Sequence, residues 1–197
     1  MACYQDSPGN ADPHCRPLTP EIAILLRSLT LLALLWVSSR ASAGETTWTL
    51  NASWLEQQIS ACAGGHDPGA CRYFPARALD RLFGVEQLCD GDTCAHPWRV
   101  AELTIDGDAW SPIGAANDQA ALTTARKMAT GGLPVVAIHG GMVALIMPGQ
   151  PFPSERWRRN VPLAVGTRVD DPEASVYGKG LNFLFSDPAQ VTLYVHK

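Results

Sequence analysis

Charge is scarce in this chain. Of 197 residues only 17% are Asp, Glu, Lys or Arg, and the balance of 15 basic against 19 acidic leaves −4. A protein that neutralises nucleic-acid phosphates needs a clustered basic surplus. The densest basic group here is Arg156, Arg158 and Arg159, interrupted by Trp157, which reads as a solvated loop and excludes a nucleic-acid partner. The disordered signature of low hydrophobicity and high net charge is also missing, since 46% of residues are hydrophobic and six are Trp. No internal repeat and no low-complexity tract interrupts the chain.

Long apolar runs are missing too. The longest, residues 29–37 (LTLLALLWV), falls well short of the roughly 18–20 residues that cross a bilayer, and Arg27 and Ser28 cut it off from Ile22–Leu26. Arg27 before it and the small residues Ala41 and Ala43 after it form a secretory signal pattern with cleavage after Ala43. The polar segment 1–20 is an unusual prefix for such a signal, and suggests translation starting near residues 22–26. Residues 1–43 therefore form a removed leader. Residues 44–197 form one exported domain, periplasmic or extracellular and not membrane-spanning, large enough to bury a core. The leader carries three residues of each charge sign, so the remainder keeps −4.

Export governs how the cysteines are read. Cys3 and Cys15 leave with the leader, and Cys62, Cys71, Cys89 and Cys94 remain, an even number in an oxidising compartment. With His66 and His96 they match no standard zinc spacing, so neither metal nor cofactor is expected. The simplest pairing is Cys62 with Cys71 and Cys89 with Cys94, the latter across the turn Asp90-Gly91-Asp92-Thr93. The alternative leaves Cys71 free, with Cys62 as a small buried hydrophobe.

Several elements follow from local pattern. Ser53-Trp54-Leu55-Glu56 is a capping box followed by Leu55, Ile59 and Cys62 at helical spacing, stopped by Gly64-Gly65. A second helix carries Ala78, Leu79, Leu82 and Phe83 and ends at Gly84. Pro75 is tolerated only in a first turn, which sets its start between Cys71 and Phe74. A third spans residues 117–130 on the stripe Ala121, Leu122, Ala125, Met128 and Ala129. The apolar runs 135–139 and 142–147 flank Gly140-Gly141, a hairpin signal, and both faces are apolar, as in a central strand pair. A loop over 148–160 and strands over 161–169, 181–186 and 191–196 complete the pattern. Helices first and strands later give an α+β domain.

One candidate for chemistry is Cys71. At a helix start the dipole favours thiolate over thiol and lowers the pKa below the free value of about 8.5. The nucleophile needs a base, and His139 is the one histidine on a central strand.

The order of these segments resembles the papain-like peptidoglycan amidases and endopeptidases of the NlpC and CHAP type. Cys71-Arg-Tyr-Phe with Ala78-Leu79 and Phe83-Gly84-Val85, then Trp110, Leu122, Ala125, Ala129 and Gly132, then residues 134–138 (PVVAI) and 143–149 (VALIMPG) carry the likeness, over about residues 54–149. It implies N-terminal helices packed on an antiparallel sheet, Cys71 as nucleophile, and a strand histidine as base. The family's Gly-His-Val-Ala reads Gly141-Met142-Val143-Ala144 here, so Met142 stands where the base is expected. Across a two-residue turn His139 and Met142 face each other as a cross-strand pair, which places an imidazole near the same point. Asn160 and Thr167 are polar residues in the region where a group orienting the base would lie.

Two functions follow. One is an exported cysteine hydrolase of cell-wall peptide amides, with Cys71 attacking, His139 as base then acid, and backbone N–H groups at the helix start holding the oxyanion. The other is a catalytically degenerate binding or accessory protein with oxidised cysteines, holding a peptidoglycan peptide or an envelope protein. An exported immunity or inhibitor protein is a third class that small size and export permit.

Overall fold

The structure is a computed structural model, and it describes residues 43–65 and 67–197; the expected leader up to residue 42 and His66 lie outside the described residues. Five helices are present among these. They are α1 (Ala43–Ala63), α2 (Pro68–Arg72), α3 (Phe74–Phe83), α4 (Pro97–Asp106) and α5 (Gln119–Thr130). Ten strands accompany them: β1 (Cys89–Asp90), β2 (Thr93–Cys94), β3 (Trp110–Ala115), β4 (Val135–His139), β5 (Met142–Ile146), β6 (Phe152–Ser154), β7 (Arg159–Val161), β8 (Leu163–Gly166), β9 (Val176–Gly180) and β10 (Thr192–His196). Residues 41–197 form one compact unit. None of the described helices is long and apolar enough to cross a membrane.

Six strands make one antiparallel sheet in the order β3-β10-β4-β5-β8-β9, so the fold is α+β. Both faces of the central strands are buried, and their period of two divides the core. Val136, Ile138, Val143 and Leu145 pack with Phe74, Leu79 and Val100 from α3 and α4, while Ala137, Ala144 and Ile146 pack with Leu122 and Ala125 of α5. That two-sided burial is why the hairpin reads as apolar throughout. Its turn is the expected two-residue one, with Gly140 at φ 56° and Gly141 at φ 82° and His139 opposite Met142.

The second helix begins at Phe74, the late end of its expected range, with Pro75 in its first turn. Four expectations are corrected. The first helix starts at Ala43, well before the Ser53 capping box. Cys71 does not head the second helix but lies upstream in the separate five-residue α2. The 148–160 loop contains the β6–β7 hairpin, whose tip holds Arg158 at φ 52° and buries Trp157. Residues 181–186 are not a strand: Leu181–Phe183 is a 3₁₀ turn, and Leu181, Leu184 and Phe185 reach the core at intervals of three and four rather than two. Helix α4 and strands β3 and β9 are additional.

Candidate functional site

At the end of the sheet where the β4–β5 turn sits, a cleft of about 310 Å³ opens between the start of α4 and the segment that follows β8. Pro97, Met142 and Val169 make its apolar walls, and His96, Thr167 and Asp170 are its polar groups. Each wall has a local cause. Pro97 occupies the first turn of α4, where its missing N–H costs nothing, and His96 caps that helix in extended conformation. The glycine turn lies close under α4: a Cβ on Gly141 would stand 3.3 Å from the Trp98 Cβ.

The third wall rests on a disulfide. Cys62 at the end of α1 is bonded to Cys71 in α2, and both are buried, at 0% and 4% exposure. The Thr167 hydroxyl donates to the Cys71 carbonyl oxygen at 2.8 Å. The Ser175 hydroxyl stands 3.2 Å from the Cys62 sulfur and accepts the Arg168 N–H at 3.1 Å. A disulfide sulfur carries no hydrogen, so Ser175 is the donor to it. Arg168 in turn reaches Asp170 through Nη2 at 2.7 Å, and that hydrogen bond holds the Asp170 carboxyl below its usual range.

The residues singled out from sequence are not gathered in one place. Cys71 sits near the C-terminal end of α2, so the helix-start dipole argument does not apply to it, and its sulfur is bridged rather than free. His139 shares the parity of Val135 and Ala137 and so projects on the α5 face rather than the one covered by α3 and α4; its Nδ1 lies 3.1 Å from the Gln190 carbonyl oxygen. Asn160 is across the sheet as well, its backbone held by the Gln119 side chain of α5. Thr167 does lie in the cleft, where it orients the backbone of Cys71 rather than an imidazole.

His96 was the residue missed. It is the imidazole that shares the cleft with Met142, and its Nδ1 is buried with no hydrogen-bond partner among the described residues. The available signal was the pair His96-Pro97, an N-cap before a first-turn proline. A buried polar atom left unpaired is costly, which sets His96 apart from the other polar residues of the cleft.

A second cavity of about 310 Å³ lies beside the β1–β2 hairpin, lined by Trp54, Arg77, Asp80, Arg81, Cys89 and Asp92 among others. Trp54 stacks with Phe74 at 6.4 Å between ring centroids, and the Arg81 guanidinium lies 4.8 Å from the Trp54 ring centroid. Compared with protein-family models, with curated proteins and with solved structures, the chain finds no match.

Proposed function

We propose that the protein is an exported, non-catalytic accessory protein of the cell envelope, built on a papain-like scaffold of the NlpC and CHAP type, that holds a peptidoglycan peptide in the cleft beside Met142. The observation that carries this reading is the state of Cys71: its sulfur is bonded to Cys62 and 4% of the residue is exposed, so it offers no thiolate to a substrate. The two bridges support an oxidising compartment outside the cytoplasm. The cleft supports binding because apolar walls surround a few convergent polar groups, His96 foremost.

The test is muropeptide release from purified sacculi, run with and without dithiothreitol beside a sedimentation assay for retention on the same sacculi. No release is expected from any form, with or without dithiothreitol; without it wild type and His139→Ala should be retained alike, whereas His96→Ala, which alters the cleft, and Cys71→Ala, which removes the bridge, should weaken retention. Release that appears on reduction and disappears in Cys71→Ala overturns the proposal in favour of a cysteine hydrolase.

A further inference from the structure

The Cys62–Cys71 bridge and the cleft share one piece of chain. Residues 167–175 form the third cleft wall at one end and cover the disulfide at the other. Thr167 holds the Cys71 carbonyl, and Ser175 caps the Cys62 sulfur and ties back to Arg168. What lies under this segment has little stability of its own. Helix α2 is five residues long, far below the length at which a helix persists unaided, and it is held by the bridge, by the Asp67 cap on Gly69 and by the burial of Ala70 and Cys71.

We propose that the cleft is under thiol–disulfide control: the bridge holds the 167–175 wall in its binding form, and a ligand seated against that wall in turn protects the bridge from reduction. Attack by a dithiol reductant requires a thiolate to reach one sulfur along the S–S axis. Neither sulfur is open in the closed structure, so attack waits for the 167–175 segment to lift. The step balances simply. One S–S bond breaks, Cys62 and Cys71 gain two electrons and two protons, and the reductant closes to its own disulfide. With the bridge gone α2 loses its covalent tie, the Cys71 carbonyl drifts from Thr167, and the wall loses both anchors. Because the coupling is thermodynamic, ligand and bridge act on each other by the same factor. Only the ligand arm depends on the proposed function; the tether between segment and bridge stands without it.

The bridge between Cys89 and Cys94 supplies an internal reference, since it borders the open cavity beside β1–β2 rather than the cleft. The native protein is treated with dithiothreitol, free thiols are trapped with iodoacetamide at intervals, and each cysteine is followed by peptide mass. Thr167→Val and Ser175→Ala should each accelerate opening of Cys62–Cys71 by roughly three- to tenfold, the value of one hydrogen bond, and leave Cys89–Cys94 unchanged. Thr167→Ser should restore the wild-type rate. Amide exchange in 167–175 should rise once the bridge opens, before far-UV ellipticity falls. A purified muropeptide should slow the first bridge and not the second. Equal rates in wild type and both variants would overturn the tether, as would labelling of all four cysteines in step with loss of ellipticity. Acceleration in the variants without muropeptide protection would retain the tether and refute the peptide ligand instead.

Discussion

The two disulfides close loops of similar size, with sequence separations of 9 and 5, yet they belong to different kinds of structure. In the chain-entropy account they differ by only about 0.5 kcal/mol. Cys89 and Cys94 are register partners across β1 and β2, so the bridge fastens two strands that already pair at the surface. Cys62 and Cys71 instead join a long helix to one too short to stand alone, beneath a segment that also walls the cleft. Loop length alone is therefore a poor guide to what each bridge does. The difference lies in what collapses when the bond is removed.

The largest effect should come from replacing the buried pair. Cys62→Ala with Cys71→Ala should lower stability by about 3–5 kcal/mol, beyond the entropy share, because α2 and the 167–175 segment lose their anchor; urea unfolding reads it directly. The surface pair gives the contrast, with Cys89→Ala and Cys94→Ala together costing about 2 kcal/mol. A reversed order would break the comparison.

Glycines near the two bridges sharpen it at a smaller scale. Gly166, just before the cleft wall, has no room: an added Cβ would stand 2.8 Å from Leu184 Cδ1 and 3.2 Å from Ala144 Cβ, so Gly166→Ala should cost about 1–3 kcal/mol. Gly91 at the tip of the surface hairpin faces open space at φ 57°, and Gly91→Ala should cost about 1 kcal/mol through backbone strain alone. Thermal unfolding of the two variants separates crowding from conformation.

The smallest effect belongs to the Arg168–Asp170 pair, whose carboxylate side chain is 71% exposed. Its hydrogen bond from Arg168 lowers the folded-state pKa, so the pair's contribution is present above the unfolded value of about 3.9 and is lost as pH falls through the folded one. Asp170→Asn should therefore lower stability at neutral pH by well under about 1 kcal/mol and leave it unchanged below the folded-state value, which flattens the acid limb by the same small amount.

Much of the fold was legible because single-residue patterns carried it. The Gly84 stop and the Leu122–Ala125–Ala129 stripe mark two helices, and Gly140-Gly141 set the His139–Met142 register that the hairpin shows; the capping box at Ser53 starts no helix, because α1 runs unbroken through it from Ala43. What stayed hidden was hidden by composition. Strand β9 reads Val-Tyr-Gly-Lys-Gly, and its two glycines erase the alternation that would announce a strand. Helix α4 is ten residues with Trp98 and Ile105 exposed, so its apolar stripe is broken on the solvent side. The site was less legible than the fold. The break at Tyr73 that separates α2 from α3 is marked only by Pro75, and that proline fits a start anywhere from Cys71 to Phe74, so Cys71 reads as a helix start when it lies at a helix end. His96 reaches the cleft only through the tertiary placement of α4 beside β5, which no local pattern encodes.

The position of the last strand has a consequence for how the molecule assembles. β10, formed by residues 192–196, does not sit at an edge but lies between β3 and β4, bonded to both. Until those residues are available, β3 has no partner in the sheet and β4 shows an open edge, the kind of exposed backbone that pairs with other chains. A growing or shortened chain can fold its helices and the β4–β5 hairpin but not close the sheet. Because that closure joins segments far apart in sequence, it should be the slow step in folding. Loss of residues 192–196 would then leave an open sheet edge as a template for aggregation.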